Sequence, residues 1–258
     1  MNFKVFLFLL FLLPTVAFSQ QFYRFRADVS IKDKLSNGTY RLTMGKIYYD
    51  KIYKKIVYKL IFPKKETMVV QDSSMFSIDD KNLVVGTTRT FLIPEFTAFH
   101  LALTGQLSDY GLKPKNNEKS IYKIGKVEKT SNGVITTWVP SEDQYKKVFG
   151  NIRMQTINKR LDAMVFYNPK GTVVSQQYFK KYVNVKGVEF PTEVTMVSIS
   201  EKGEKNIQLT TYKNVVIDQN NEDEIYRYKI PLTKSAAVKK WGRGSGQFVQ
   251  KCFAQRQH

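Results

Sequence analysis

The chain has 258 residues and a formal net charge of +19, from 41 Lys and Arg against 22 Asp and Glu. Its length suits one all-β domain with a sizeable core, and its single cysteine, Cys252, excludes an internal disulfide bond. The positive charge favours anionic partners, but no run of Lys and Arg exceeds two residues, which argues against nucleic acid. Membrane surfaces and lipid headgroups remain as anionic partners.

Residues 1–19 have the pattern of a secretory signal peptide. Lys4 precedes the apolar run FLFLLFLL, which is too short to span a bilayer. The small-residue sequence that ends at Ser19 predicts cleavage near Ser19/Gln20. Cleavage leaves 239 residues with a net charge of +18, because Lys4 is lost. We therefore expect an exported protein.

The first predicted strand covers residues 22–32, and an Asn-Gly turn follows it. Residues 38–72 then predict three strands, because apolar and polar residues alternate there with a period of two. Neither face of these strands is cleanly polar. A sheet of this kind must cover both faces or use one of them to hold an apolar ligand. Two short strands, residues 74–78 and 82–85, come next.

Residues 93–105 break this alternation and predict a helix. Phe96, Phe99, His100 and Leu103 recur at helical spacing, and Gly105 is a stop signal. Two interpretations remain open: an ordinary amphipathic helix packed on the sheet, or a lid over a cavity.

The second half of the chain predicts an antiparallel meander, because turn residues separate alternating strands at short intervals. A short helix is expected at residues 141–149, and residues 151–160 are ambiguous. The predicted strands are residues 120–129, 134–139, 161–167, 172–185, 188–200, 206–217 and 226–230. Residues 233–258 are basic and Gly-rich, and we expect a flexible tail.

Residues suited to catalysis are sparse in this sequence. The two histidines are His100, inside the apolar helix, and His258, at the end of the chain. No His, Cys, Asp or Glu residues have metal-ligand spacing, and no Gly-rich phosphate loop is present. We therefore predict no catalytic residues, no metal and no cofactor. An enzyme would need two carboxylates brought together by the fold.

Three stretches carry a resemblance to a known family: residues 38–49, residues 58–72 with Pro63 before MVVQD, and residues 168–192 with the sequence YVNVKGVEFPT. Together they resemble the periplasmic outer-membrane lipoprotein carriers and lipoprotein-sorting proteins of the LolA/LolB-like superfamily. The resemblance implies a mainly β fold for residues 20–232. This would be an incomplete antiparallel β-barrel of about eleven strands with a short helical lid.

The resemblance also implies an apolar concave face that accepts acyl chains. Aromatic and other apolar side chains on the strands and the helix are the candidate lining of this cavity and its lid. They are Phe25, Tyr40, Met44, Tyr58, Leu60, Phe62, Met68, Phe96, Phe99 and Leu103. The family's carriers place an arginine near the cavity mouth. The nearest basic residues here, Lys51, Lys54 and Lys55, are the candidate rim for an anionic headgroup.

The expected function is that of a non-enzymatic, monomeric carrier of a lipid or an acylated lipoprotein. Membrane-associated donor and acceptor proteins would be its partners, and nucleic acid would not. The alternative is a scaffold or interaction module of the cell envelope that uses the basic face of its sheet. The two differ in whether the concave side is open or filled by the protein's own side chains.

Overall fold

The computed structural model describes residues 21–90, 92–113, 120–219 and 221–231. The predicted signal peptide and the basic tail lie outside these residues, so the predicted domain bounds remain predictions. Thirteen strands lie within the described residues. They are β1 (Arg24–Lys34), β2 (Tyr40–Asp50), β3 (Lys55–Phe62), β4 (Glu66–Gln71), β5 (Ser74–Ile78), β6 (Val84–Arg89), β7 (Tyr122–Thr130), β8 (Gly133–Pro140), β9 (Ile152–Ile157), β10 (Arg160–Tyr167), β11 (Val173–Val185), β12 (Val188–Ile199) and β13 (Lys205–Ile217).

All thirteen strands form one antiparallel sheet in the order β6-β5-β4-β3-β2-β1-β13-β12-β11-β10-β9-β8-β7. The first and last strands pair at its centre, and β6 and β7 are its two edges. The sheet is therefore not closed. Strand β7 carries Lys123, Lys126 and Lys129, all exposed, which discourages pairing with another strand.

The sheet curves strongly around its core. A flat sheet of this size would be about 60 Å wide, at about 4.8 Å for each strand spacing. Nevertheless, Val70 of β4 and Trp138 of β8 belong to the same hydrophobic cluster. The concave face therefore encloses one core, and the fold is an incomplete barrel, as the sequence predicts.

The connection from β6 to β7 runs through this concave space. We call residues 92–113 the crossing segment. It contains a 3-10 turn (Pro94–Phe96), helix α1 (Ala98–Leu103) and a second 3-10 turn (Leu107–Asp109). Helix α1 packs mainly against β12 and β1. The helix predicted for residues 93–105 is thus confirmed but shorter, because Thr97 caps α1 and the chain before it is a 3-10 turn.

Two other short helices lie outside the concave space. Helix α2 (Asp143–Lys146) connects β8 to β9, and helix α3 (Asp223–Tyr226) follows β13. None of the helices in the described ranges has the length and apolar character needed to cross a bilayer.

The predicted last strand at residues 226–230 is wrong. Helix α3 stands at its start, and Tyr226 packs against Tyr48 on the convex face with ring centroids 5.5 Å apart. The Lys55 Nζ donates a hydrogen bond to the Tyr228 carbonyl at 2.9 Å. These contacts hold residues 226–230 against the outer face of β2–β5. The segment therefore does not pair with an edge strand of the sheet.

The structure also extends the predicted strand set. The ambiguous residues 151–160 contain β9 and the start of β10, and β6 lies later than the predicted residues 82–85. As a result, the half-barrel has thirteen strands within the described ranges, compared with about eleven implied by the resemblance.

Candidate functional site

Aromatic side chains fill the concave face at the end of the half-barrel where β1 begins. Phe99 of α1 stacks on Phe25 with ring centroids 5.3 Å apart and lies 4.9 Å from the ring of Tyr49. Phe25 in turn contacts Phe190 at 4.7 Å and Tyr212 at 6.1 Å. Each such aromatic pair adds about 0.5–1.5 kcal/mol to the burial of its area. Helix α1 is therefore seated in the core and is not a cover on the surface.

Polar contacts hold the first half of the crossing segment in place. The Tyr49 hydroxyl and the His100 Nδ1 are hydrogen-bonded, and burial raises the pKa of Tyr49. The Lys54 Nζ lies 2.9 Å from Glu95 Oε1. These contacts join α1 and the turn before it to the β2–β3 hairpin.

Part of the concave face is not covered by α1. Half-buried apolar side chains form a continuous strip there, and we call this strip the concave trough. Its residues are Ile31, Tyr58, Met68, Met75, Val194 and Tyr212. Tyr58 lies opposite both Ile47 and Met68 in the sheet, so the trough crosses neighbouring strands. Burial raises the pKa of Tyr58 to about 12, so its hydroxyl is neutral at physiological pH.

A few polar groups interrupt the apolar surface under the second half of the crossing segment. The Tyr110 hydroxyl donates a hydrogen bond to Gln177 Oε1 at 3.2 Å. The buried Ser175 Oγ and Trp138 Nε1 have no hydrogen-bond partner within the described part of the chain. Leaving such groups unpaired costs free energy, so they are suited to the polar part of a ligand or to water.

A pocket opens beside the C-terminal end of α1 and has a volume of about 970 Å³; we call it the large pocket. Leu103, Leu107 and Val188 contribute its apolar wall. Lys51 and the ion pair between Arg160 and Glu189, with an N–O distance of 2.7 Å, contribute its charged rim. This volume is at the upper end of the range for small-molecule sites.

No group of three His, Cys, Asp or Glu side chains within the described ranges is positioned to hold a metal ion. A second pocket of about 390 Å³ lies at the opposite end of the half-barrel, between α2 and the β10–β11 turn. Its lining is mixed, with Phe149 and Tyr167 beside Lys146 and Arg153.

Solved structures share this architecture, although neither a protein-family model nor a curated protein matches the sequence. A domain from Vibrio parahaemolyticus assigned to outer-membrane lipoprotein sorting superposes with a TM-score of 0.50 and 9% identity, over 80% of this chain and 90% of that domain. The chain therefore shares the fold of that domain.

Two further structures are similar to this chain. A protein from Desulfovibrio piger, from a family of unknown function, has a TM-score of 0.52 and 11% identity, over 81% of this chain and 91% of that one. A LolA superfamily protein from Nitrosomonas europaea has a TM-score of 0.49 and 12% identity, over 79% and 90%. The domain from Vibrio parahaemolyticus confirms the resemblance found in the sequence as a resemblance of fold.

The fold divides the ten candidate lining residues between two surfaces. Seven lie on the concave side or pack against its core. They are Phe25, Tyr58, Leu60, Met68, Phe96, Phe99 and Leu103. Among them, Tyr58 and Met68 line the concave trough, Leu103 lines the large pocket, and Phe25 and Phe99 are fully packed.

The other three lie on the convex face. Tyr40 and Met44 are paired with Lys34 and Ser30 of β1, in the outward register of the sheet, and are 71% and 38% exposed. Phe62 lies opposite Met44, after a bulge, and is 47% exposed. The alternation of β2 was visible in the sequence, but its two faces are both apolar, so the choice of the inner face could not be made.

The three candidate rim lysines also separate. Lys51 lines the large pocket, and Lys54 pairs with Glu95 of the crossing segment. Lys55 contacts Tyr228 on the convex side, where burial lowers the pKa of its ammonium group. Only two of the three are thus near the concave side.

Sequence reasoning missed four residues of the concave trough: Ile31, Met75, Val194 and Tyr212. Their alternation was visible, but their neighbours are set by pairing between β1 and β13, which are separated by most of the chain. Arg160, on the rim of the large pocket, gave no signal because it stood in an ambiguous segment.

Proposed function

We propose that this chain is an exported, non-enzymatic carrier that shelters the acyl chains of a lipid or a lipoprotein in its half-barrel. The observation that carries the proposal is the concave trough, a set of half-buried apolar side chains that α1 does not cover. The fold shared with the lipoprotein-sorting domain of Vibrio parahaemolyticus and the predicted signal peptide support it. Membrane-associated donor and acceptor proteins of the periplasm would be its partners.

Binding of an acyl chain requires part of α1 to move out of the concave face. Gly105 and Gly111 flank the second 3-10 turn in the left-handed region, with φ of +68° and +67°. Glycine adopts this conformation without strain, so these positions suit a hinge. Exposing Phe99 and Leu103 costs about 2 kcal/mol each. An acyl chain gains about 0.8 kcal/mol for each buried methylene, which offsets this cost within a few carbons.

The rim of the large pocket fits the polar end of such a ligand. Glu189 balances the charge of Arg160, so Lys51 and Lys159 supply the net positive charge beside an apolar wall, as an anionic headgroup requires. In this arrangement, the acyl chain lies in the space shared by the concave trough and α1, and the headgroup stays at the solvent-exposed rim.

Two methionines, one on β4 and one on β2, give a matched test. Met68 lies in the concave trough, and Met44 lies on the convex face. We expect saturable uptake of a fluorescent fatty acid by the purified, processed chain, and co-purified lipid in its native mass spectrum. Met68→Lys should weaken uptake at least tenfold, because it places a charge among acyl carbons, while Met44→Lys should leave it unchanged.

Absence of both co-purified lipid and saturable uptake would overturn the carrier proposal in favour of a scaffold. Equal effects of the two lysine substitutions would show that uptake does not take place on the concave face.

A further inference from the structure

The convex face carries an apolar surface that the carrier function does not use. Strands β13, β1, β2 and β3 present it near the β1–β2 and β3–β4 turns, on the back of the strands that form the concave trough. We call it the convex patch. Its residues are Tyr40, Leu42, Met44, Ile61, Phe62, Ile207 and Leu209.

The register of the sheet makes the convex patch continuous. Lys34 has Tyr40 and Ile207 as its two cross-strand neighbours, and Lys32 has Leu42 and Leu209. The bulge in β3 adds a residue, Ile61, beside Phe62; these two side chains are 63% and 47% exposed. Exposed apolar surface of this extent marks an interaction site.

Positive charge lies within and beside the convex patch. Lys32 and Lys34 stand between its apolar rows, and the Lys34 Nζ lies 5.7 Å from the centre of the Tyr40 ring. Lys64 and Lys65, both exposed, follow Phe62 after Pro63.

The nearest acidic side chains do not neutralise the central lysines. Asp33 accepts a hydrogen bond from Gln208 at 2.9 Å, on the concave side, and Glu66 pairs with Lys64. In the turn between β12 and β13, two glutamates are balanced by Lys202 and Lys205.

We propose that the convex patch docks the protein on an anionic lipid bilayer. Aromatic and aliphatic side chains with lysines between them match the boundary between headgroups and acyl chains, where the rings enter the interface and the ammonium groups contact lipid phosphates. This orientation leaves the concave trough on the side away from the bilayer, open to cargo.

Charge disfavours two other occupants of the convex patch, namely a second copy of the chain and residues 232–258. A second copy placed face to face would bring its own Lys32 and Lys34 against those of the first. Residues 232–258 contain six Lys and Arg and no Asp or Glu, so this segment shares the sign of the convex patch. An anionic bilayer is the occupant whose charge is complementary.

The test is co-sedimentation of the processed chain with vesicles. We expect binding to vesicles of phosphatidylcholine mixed with phosphatidylglycerol, weaker binding at high salt, and little binding to phosphatidylcholine alone. Lys32→Gln with Lys34→Gln should weaken binding about thirty-fold, at the usual contribution of a lysine near an anionic surface. Tyr40→Ser with Phe62→Ser should weaken it at least tenfold. Leu83→Ser, which removes an exposed leucine elsewhere, is the control and should bind normally.

Both lysine substitutions are on exposed side chains, so folding of that variant is preserved and is checked by circular dichroism. No binding to the mixed vesicles, or equal binding by all variants, would overturn the proposal. A lipid-free dimer that is lost in the Tyr40→Ser/Phe62→Ser variant would overturn it in favour of a second copy. Fatty-acid uptake, measured on the same variants, should be unchanged, which separates a failure of docking from a failure of the carrier function.

Discussion

Phe99 of α1 stacks on Phe25 of β1, with ring centroids 5.3 Å apart and ring planes inclined by 21°. This contact joins the crossing segment to the central strand of the sheet, and both side chains are almost completely buried. Helix α1 therefore fills the end of the half-barrel where β1 begins. In the proposed carrier, ligand entry would exchange these protein contacts for contacts with the ligand, so the packing of α1 and the rate of uptake would be linked.

The first prediction concerns the packing of Phe99 in the core. Phe99→Ala should lower the free energy of unfolding by about 3 kcal/mol, because it leaves a cavity between Phe25 and Tyr49. The same change should speed the association of a fluorescent fatty acid, since α1 is held less firmly. Phe99→Leu, which keeps most of the volume, should cost less than about 1.5 kcal/mol. Urea denaturation and stopped-flow fluorescence measure the two effects. Lost stability with an unchanged association rate would mean that α1 does not control entry.

The second prediction concerns Asp50, at the end of β2, which is 1% exposed. One carboxylate oxygen accepts hydrogen bonds from the backbone amides of Ile52 and Tyr53, at 2.8 and 3.2 Å, and the other accepts from Arg24 Nε at 3.1 Å. Asp50→Asn removes one of the two carboxylates that pair with the half-buried Arg24 guanidinium, and Asp223 remains as the other, so the free energy of unfolding should fall by about 1.5–3 kcal/mol.

Asp80→Asn is the control for this change, because Asp80 is exposed in the β5–β6 turn, and its cost should be within about 0.5 kcal/mol. Thermal and urea denaturation of the two variants give the comparison. Equal stability would show that the Arg24–Asp50 pair does not hold the β2–β3 hairpin in place.

Local patterns in the sequence were sufficient for most of the strands and for the break at the crossing segment. The period of two is set by side-chain alternation within a strand, and Gly105 and the apolar spacing around Phe99 are equally local. The central pairing of β1 with β13 was not predictable, because it depends on contacts between the two ends of the domain. The trough residues Ile31 and Tyr212 are adjacent only through that pairing.

The placement of Tyr40, Met44 and Phe62 needed the same long-range information. Their strands are apolar on both faces, so alternation separates two sets of residues without saying which set faces inward. A bulge between β2 and β3 also shifts the register just before Phe62. The last predicted strand was wrong because the ring of Tyr226 packs against the ring of Tyr48 on the convex face. This contact joins residues far apart in the sequence, so the local pattern does not predict it.

The third prediction uses two glycines in strands. A Cβ on Gly45 would lie 2.3 Å from the Lys59 carbonyl oxygen and 2.8 Å from Leu60 Cα, both backbone atoms that cannot move aside. A Cβ on Gly86 would meet only Ser77 Cβ, at 3.8 Å, which is an ordinary contact. Gly45→Ala should therefore cost about 2–3 kcal/mol through displacement of β3, whereas Gly86→Ala should be neutral or add about 0.5 kcal/mol.

Urea denaturation measures both glycine variants against the unchanged chain. A small cost at Gly45, comparable to the effect at Gly86, would contradict the close approach of β2 and β3 at the bulge. The site is informative because this approach lies directly in the floor of the concave trough.

The last prediction follows from the buried phenol of Tyr58. Burial raises the pKa of Tyr58 to about 12, whereas an exposed tyrosine in the unfolded chain has a pKa of about 10. Below pH 10 both states keep the proton, so the side chain contributes its full stability. Between about pH 10 and pH 12 the unfolded state releases the proton and the folded state retains it, so stability falls as the pH rises.

Replacing Tyr58 by Phe removes this contribution. The Tyr58→Phe variant should therefore lose about 2 kcal/mol less free energy of unfolding than the unchanged chain across this range. Urea denaturation at several pH values gives both curves, and parallel curves would show that the Tyr58 hydroxyl is not shielded from water on the concave face.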